Sequence, residues 1–245
     1  MNIAIITASG IGTRMGEKYK NSPKQFIEVE GKPVLFYCIE HYDKHPEIDA
    51  IIIVTLKDYI PFVEDKIKEF NLKKIVGVVP GGKTVKKSIK NGYDKAKELK
   101  INEDDIILIQ DGVRPIVFDT VISNVIQSVK ENGPTLPGIP NKTGNYIIAE
   151  NKEVKERFSK NQIFAGTSPQ SMTIKDFEFT YNKAMEKDIL DDERFSTCYV
   201  SLAHTLGKKI YIVEEEELMN LKITTPAELE IFKAIMRIRK EENRL

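Results

Sequence analysis

A regular alternation of short β-branched runs and amphipathic stretches constrains the fold of this chain more than any other feature. The run Ala50–Thr55 reads Ala-Ile-Ile-Ile-Val-Thr and is apolar on both faces, as expected of a buried parallel strand. The pattern predicts strands over Ile3–Thr7, Ala50–Thr55, Lys74–Val79 and Ile106–Gln110, and helices over Pro33–Lys44, Tyr59–Phe70, Val85–Leu99 and Thr120–Glu131. Strands that alternate with helices in this way predict an α/β fold with a doubly wound, mostly parallel sheet.

The second half of the chain follows the alternation less regularly. The stretch Gly133–Gly144 carries three prolines and three glycines, and residues 140–160 are predicted to leave the sheet as a β-arm. Later elements are predicted as strands over Gln162–Gly166 and Ile210–Val213 and helices over Ile174–Lys187 and Pro226–Lys240, with the acidic run Glu214–Glu217 as a solvated loop. We therefore predict one domain over residues 1–245, with a Rossmann-like sheet, helices on both faces and a protruding arm.

Composition excludes some classes of partner and compartment. The 245 residues carry 37 basic and 37 acidic side chains, so the net charge predicts neither nucleic acid nor an anionic membrane as a partner. Cys38 and Cys198 form neither a disulfide framework nor a CxxC metal motif. No signal-peptide pattern and no apolar run of about 20 residues is present, which predicts the cytoplasm.

A glycine-rich segment follows the first predicted strand directly. The residues of Ala8–Gly12 are mostly small, so the backbone can turn sharply and gather several N–H groups in one concavity. Such a turn at the end of the first strand of an open sheet favours an anion. Arg14 adds one cation, and Lys24 in the segment Pro23-Lys24-Gln25 adds a second. The combination predicts a nucleoside triphosphate site.

A second segment supports a competing hypothesis. Residues Gly77–Thr84 match the phosphate-loop pattern GxxxxGK[ST], and Asp111 follows an apolar strand as the magnesium-binding aspartate of P-loop kinases and ATPases does. A P-loop requires its strand to end before the first glycine, whereas Gly77 lies inside an apolar run that ends at Pro80. The P-loop hypothesis also leaves the first glycine-rich segment unexplained, so it ranks second.

Several segments, taken in order, resemble one family of nucleotidyltransferases. They are Ala8–Gly16, Pro23–Phe26, Gly81-Gly82 with Ser88, Asp111–Pro115, Ser168–Gln170 and Asn220–Pro226. Together they resemble the cytidylyltransferases of polyol phosphates, over nearly the whole chain. The resemblance implies transfer of CMP from CTP to a sugar-alcohol phosphate such as 2-C-methyl-D-erythritol 4-phosphate or ribitol 5-phosphate. It also implies magnesium as cofactor and a homodimer formed through the 140–160 arm.

The resemblance further implies roles for individual residues. It assigns Arg14, Lys24 and Lys222 to catalysis, by holding the CTP phosphates and stabilising the α-phosphate, and Asp111 to magnesium. The implied nucleotide-binding residues are Ala8, Ser9, Gly10, Gly12, Gly81, Gly82, Lys83, Ser88 and Gly112. The implied acceptor-binding residues are Arg114, Thr143, Lys160, Ser168 and Thr197. A phosphate monoester is already ionised at neutral pH, so the reaction needs no general base. His41, His45 and His204 are accordingly given no role.

The sequence departs from the family pattern mainly where the acceptor would bind. Val85 stands where the family pattern has an arginine, and Gln110-Asp111-Gly112 stand where it has His-Asp-Ala. Lys142 takes the place of an aspartate of the arm, and Lys160 or Arg157 takes the place of the arm's arginine. Cys198 takes the place of a second aspartate, for which Asp191 or Asp192 would substitute. Lys142 and Cys198, in place of carboxylates, make the acceptor pocket more positive and favour an acceptor with more negative charge. The clustering of the changes indicates an acceptor other than methylerythritol phosphate, such as ribitol phosphate or a related sugar or polyol phosphate. Val85 and Cys198 also leave open a nucleotide-binding family member with altered catalysis.

Overall fold

A computed structural model describes residues 1–17, 22–141, 146–159, 162–192, 198–215 and 221–242, with backbone only at 146–149 and 157. The strands are β1 (Asn2–Ala8), β2 (Glu28–Val29), β3 (Lys32–Pro33), β4 (Ala50–Thr55), β5 (Ile75–Pro80), β6 (Ile106–Asp111), β7 (Thr135–Pro140), β8 (Tyr146–Glu150), β9 (Glu153–Phe158), β10 (Phe164–Gly166), β11 (Gln170–Thr173) and β12 (Tyr211–Glu214). The helices are α1 (Val34–Lys44), α2 (Ile60–Glu69), α3 (Val85–Ala96), α4 (Asp119–Asn132), α5 (Ile174–Glu186), α6 (Tyr199–Thr205) and α7 (Pro226–Glu241).

The main sheet combines a parallel half and a mixed half. Its strands lie in the order β10-β7-β11-β6-β1-β4-β5, and β12 pairs with β7. The four strands from β6 to β5 are parallel, with Ile3 of β1 opposite Ala50 of β4 and Ile107 of β6. β11 runs antiparallel to both β6 and β7. The predicted mostly parallel, Rossmann-like sheet is confirmed.

Helices cover both faces of this sheet, as predicted. Residues of α1 and α4 pack with Ala4 and Ile6 of β1 in one buried cluster, to which Val63 of α2 also belongs. Residues of α3, α5 and α6 pack with Ile5 of β1 in a second cluster on the opposite face. Adjacent residues of one strand therefore point to opposite layers, which explains why the parallel strands are apolar at every position.

In the second half of the chain, the structure adds three elements that were not predicted and corrects one prediction. The proline- and glycine-rich stretch contains β7, which is a strand of the main sheet. The strand β11 and the helix α6 were not predicted. The acidic run is not wholly a solvated loop, because Glu215 is buried and its carboxylate accepts a hydrogen bond from Thr167 Oγ1 at 2.9 Å.

The described part of the predicted arm contains a hairpin. Strands β8 and β9 pair antiparallel with each other and form a two-stranded sheet separate from the main one. The role of this arm in dimerisation remains a prediction, and so does the division of the chain into one domain. Within the described residues, no helix combines the length and apolar character that a membrane span requires.

Candidate active site

A cavity of about 530 Å³ lies at the carboxyl ends of the parallel strands. It opens where β1 lies between β4 and β6, the point at which the chain order in the sheet reverses direction. Ligands of open α/β sheets bind at such a point. The lining residues are Thr7, Ala8, Ser9, Gly10, Ile11, Arg14, Lys24, Gln25, Leu56, Gly82, Lys83, Thr84, Val85, Ser88, Asp111, Val113 and Lys222.

One wall of the cavity is the glycine-rich loop after β1. Gly12 has a φ of 71°, a left-handed conformation that favours glycine, and it ends the loop at a short 3-10 turn over Thr13–Met15. Met15 is buried in a cluster with residues of α7 and anchors the turn. The loop is therefore held at both ends, by β1 and by Met15.

The facing wall follows β5. Gly81 donates its N–H to Thr55 O at 2.8 Å, and a Cβ at Gly81 would clash with the side chain of Ser9. Ser88 joins the two walls. Its hydroxyl accepts hydrogen bonds from Gly82 N at 3.0 Å and from Ser9 Oγ at 3.1 Å, and it donates one to Thr84 O at 3.0 Å. One donor and two acceptor sites complete the bonding capacity of a hydroxyl.

The same segment does not form a P-loop. Gly77 lies within β5 and pairs with Ile52 of β4, and the strand continues to Pro80. The first glycine of the pattern therefore belongs to a strand and not to the turn that would hold a phosphate. Helix α3 begins after Thr84, which caps it by accepting a hydrogen bond from Lys87 N.

A charged cluster forms the floor of the cavity. Asp111, the last residue of β6, pairs through Oδ2 with Lys222 Nζ at 2.8 Å and with Arg114 Nε at 2.9 Å. Ile223 donates its N–H to Val113 O at 2.9 Å, which places the Lys222 segment beside the end of β6. The structure thus brings together two residues separated by more than 100 positions in sequence.

Burial and neighbouring charges shift the pKa values of Lys24 and Asp111. Burial, together with Lys222 and Arg14, lowers the pKa of Lys24 from 10.5 to about 8. Burial alone would raise the pKa of Asp111, but Lys222 and Arg114 more than offset it and keep the pKa below its ordinary value. Asp111 is therefore ionised at neutral pH, whereas Lys24 loses its charge in mildly alkaline solution.

Most of the sequence-predicted nucleotide residues meet in this cavity. Arg14, Lys24, Lys222 and Asp111 all line it, together with Ala8, Ser9, Gly10, Gly82, Lys83 and Ser88. The three remaining predicted positions, Gly12, Gly81 and Gly112, are not among its lining residues. Gly112 is buried and donates its N–H to Thr7 O at 2.9 Å, so it holds the chain after Asp111 against the end of β1.

The acceptor residues are only partly described. Arg114 and Ser168 both contact Asp111, since Ser168 Oγ accepts a hydrogen bond from Asp111 N at 3.3 Å. Thr143, Lys160 and Thr197 lie outside the described residues. The predicted contributions of these three residues stay predictions.

Two contacts of the site had not been predicted. Gln25, noted only as a motif residue, donates through Nε2 to the carbonyls of Ala8 and Gly10. Asp191, suggested as a substitute carboxylate for the acceptor, contacts the start of α3 instead. It accepts from Thr84 Oγ1 at 3.2 Å and pairs with Lys87 Nζ at 2.7 Å. The place of Gln25 in the Pro23-Lys24-Gln25 motif was the only sequence signal near the first contact, and it did not indicate the partner.

The fold and this cavity together define a class of protein. A Rossmann-like sheet with a glycine-rich turn and several cations at the end of β1 is typical of enzymes that bind nucleoside phosphates. The sequence model of the 2-C-methyl-D-erythritol 4-phosphate cytidylyltransferase (IspD) family matches residues 2–238, and the chain belongs to this family. It is accordingly a nucleotidyltransferase of the cytidylyltransferase type.

Relatives and solved structures agree with this assignment. The chain is 35% identical over 242 residues to the ribitol-5-phosphate cytidylyltransferase of Streptococcus agalactiae serotype V, covering 99% of this chain and 98% of the relative. It is 32% identical to the 2-C-methyl-D-erythritol 4-phosphate cytidylyltransferase of Clostridium novyi, covering 96% of each chain. The crystal structure of 4-diphosphocytidyl-2C-methyl-D-erythritol synthase from Anaerococcus prevotii shares the fold, with a TM-score of 0.77, 24% identity and coverage of 97% and 96%.

Proposed function

We propose that this enzyme transfers CMP from CTP to a polyol phosphate, giving a CDP-polyol and pyrophosphate. The cluster of Lys24, Lys222 and Asp111 beside the glycine-rich loop carries this proposal. The glycine-rich loop offers backbone N–H groups to the phosphates, and the two lysines place positive charge where the two anionic reactants must meet. The names of the family and of the two relatives support the same reaction.

The chemistry follows from charge and position. A phosphate oxygen of the acceptor attacks the α-phosphorus of CTP, the bond from that phosphorus to the bridging oxygen breaks, and pyrophosphate leaves. Both reactants are anions, so the protein's task is to align them and to neutralise charge. Arg14 and Lys24 face the phosphate tail, and Lys222 stabilises the α-phosphate as it becomes five-coordinate. No residue needs to remove a proton, because the attacking phosphate is already ionised.

We propose ribitol 5-phosphate as the acceptor, ahead of 2-C-methyl-D-erythritol 4-phosphate. The 35% identical relative bears the ribitol name, whereas the 32% identical relative bears the methylerythritol name. Arg114 and Ser168 are the described acceptor residues, and the proposal gives Thr143, Lys160 and Thr197 the same role. The changed residues Lys142 and Cys198 support an acceptor site that differs from the methylerythritol pattern.

Magnesium fits the donor chemistry of the cavity. Asp111 is the one acidic side chain among the described lining residues, and the described part of the chain holds no cluster of three or more His, Cys, Asp or Glu side chains. Magnesium prefers one or two carboxylates together with substrate phosphates and water. We therefore propose that Asp111 holds magnesium with the CTP phosphates. When bound, the ion neutralises phosphate charge.

The proposal extends to assembly and compartment. A homodimer joined through the β8–β9 arm would bring the arm of one subunit to the acceptor site of the other. Light scattering should then give twice the chain mass of 27.9 kDa, and a monomer would contradict the shared site. We place the reaction in the cytoplasm, and fractionation of cells should recover the protein there.

The test is a pyrophosphate release assay. The protein is incubated with magnesium, each of the four nucleoside triphosphates, and a panel that includes ribitol 5-phosphate and 2-C-methyl-D-erythritol 4-phosphate. Release with CTP and a polyol phosphate, with formation of an equal amount of CDP-polyol, is expected. Binding of CTP without release for any acceptor would overturn the proposal, and so would conversion of ATP to ADP.

A further inference from the structure

Gln25 connects the lysine-bearing turn to the glycine-rich loop. It follows Lys24 in a short 3-10 turn over Lys24–Phe26, and it is 1% exposed. Its Nε2 donates to Ala8 O at 2.7 Å and to Gly10 O at 3.0 Å, so both amide hydrogens go to the loop. The orientation of the amide is unambiguous, because the flipped form would place Oε1 against two carbonyl oxygens.

These two bonds determine which way the loop's peptide planes face. In a planar trans peptide the C=O of one residue and the N–H of the next point in opposite directions. Holding the carbonyls of Ala8 and Gly10 against Gln25 therefore turns the N–H groups of Ser9 and Ile11 away from it. Ser9, Gly10 and Ile11 all line the cavity.

We propose that Gln25 is a positioning residue that keeps the N–H groups of the Ser9–Gly12 loop directed at the phosphates of the nucleotide. It fixes the loop and Lys24 relative to each other, since it is bonded to the first and adjacent in sequence to the second. The inference rests on the proposed function in that the bound anion is taken to be CTP. Gln25 itself touches neither reacting atom.

The test compares two substitutions at Gln25 with a matched control. Gln25→Met keeps the length and volume of the side chain and removes both donors, whereas Gln25→Glu keeps one donor only when it is protonated. The control is Thr180→Val on α5, which removes a buried hydroxyl that also donates to a backbone carbonyl, Asp176 O at 2.7 Å, away from the cavity. Thermal unfolding of each variant measures stability separately from binding.

Calorimetric titration with CTP gives a result that does not depend on turnover. We expect Gln25→Met to weaken CTP binding and raise the KM for CTP by about 10–100-fold. This is the loss expected when the loop N–H groups no longer form their hydrogen bonds to the charged phosphates. The KM for the acceptor should change less than about threefold, and Thr180→Val should change neither constant. If the wild-type protein binds CTP but releases no pyrophosphate, the proposed reaction fails while the binding comparison still tests Gln25.

Two further results decide the inference. The binding of CTP to Gln25→Glu, relative to wild type, should recover as the pH falls from 8 to 6, because a protonated carboxyl regains one donor. Gln25→Met should show no such recovery. CTP affinity of folded Gln25→Met within twofold of wild type would overturn the inference, as would equal losses for both substrates. If Gln25→Met does not fold, the pH response of Gln25→Glu decides, and its absence overturns the inference.

Discussion

The nucleotide part and the proposed acceptor part of the site differ in how they are built. The nucleotide wall is defined as the Ser9–Gly12 loop, the Gly81–Ser88 segment and the cations Arg14, Lys24 and Lys222. It lies at the carboxyl ends of parallel strands and is described throughout. The acceptor wall is defined as Arg114, Ser168 and the predicted residues Thr143, Lys160 and Thr197. Its two described members are not among the lining residues of the cavity and adjoin it through Asp111. Asp111 belongs to both, since it pairs with Lys222 and contacts Ser168.

The two walls also differ in how many contacts join their residues. The nucleotide wall is tied together by Ser88 and Gln25, so a substitution there disturbs several contacts at once. The sequence departs from the family pattern mostly at positions assigned to the acceptor, and Val85 is the exception on the nucleotide wall. The comparison predicts constant use of CTP and a variable acceptor.

The largest effect is expected at Lys24 of the nucleotide wall. Lys24→Met removes a buried cation next to the phosphates, and kcat/KM for CTP should fall on the order of 10²–10³-fold, as for loss of a preorganised electrostatic group. Lys68→Met on the exposed face of α2 is the control and should be neutral. Steady-state pyrophosphate release checks both. A fall of less than fivefold for Lys24→Met would remove this residue from catalysis.

The next effect is a pH dependence caused by the same side chain. Because the pKa of Lys24 is lowered to about 8, its charge is present below that pH and is lost as the pH rises through it. The kcat/KM for CTP should therefore decline above about pH 8, approaching tenfold per pH unit. Lys24→Arg keeps a charge at every accessible pH and should abolish this decline. An unchanged alkaline limb in Lys24→Arg would assign the titration to another group.

A smaller effect is expected on the acceptor wall. Ser168→Ala removes the hydroxyl beside Asp111, and kcat/KM for the polyol phosphate should fall about 3–10-fold, the loss of one hydrogen bond. CTP affinity, measured by calorimetry, should stay within twofold of wild type. Equal losses for CTP and acceptor would show that the two walls are not separable at Asp111.

The smallest effect is expected at Val85, where the family has an arginine. Val85 lines the cavity and is 56% exposed, so an arginine can enter without disturbing the core. Val85→Arg should lower the KM for CTP about 2–5-fold through an added cation in a solvated setting. Val76→Arg on β5, outside the cavity lining, is the matched control. A raised KM for CTP in Val85→Arg would show that valine is required there.

The sequence predicted the parallel half of the fold well because its signals are local. Ala50–Thr55 was predicted with the bounds that β4 has, and Ile106–Gln110 differs from β6 by one residue. Each of these strands is buried on both faces, so its own residues identify it. The glycine-rich loop and Asp111 were predicted to lie at this edge of the sheet for the same reason, since each lies at the end of such a strand.

The mixed half was harder to predict because its strands depend on their partners. β7 contains Pro137 and Pro140, which lack an N–H and argue against a strand, yet Pro137 O still accepts a hydrogen bond from Thr167 N at 2.9 Å. β11 is a short polar segment that is a strand through its pairing with β6 and β7. Long-range contacts of this kind leave no local pattern. The same holds for Gln25, whose role depends on a loop 15 residues earlier in the chain.

The most direct test of the two-wall account is a comparison of acceptors on one preparation of the protein. The kcat/KM values for ribitol 5-phosphate and 2-C-methyl-D-erythritol 4-phosphate are measured at saturating CTP and magnesium, with ATP, GTP and UTP as alternative donors. The account predicts turnover with CTP far above the other three triphosphates, and a preference of at least about tenfold for ribitol 5-phosphate, about 1.4 kcal/mol. A preference for methylerythritol phosphate, or equal use of all four triphosphates, would contradict it.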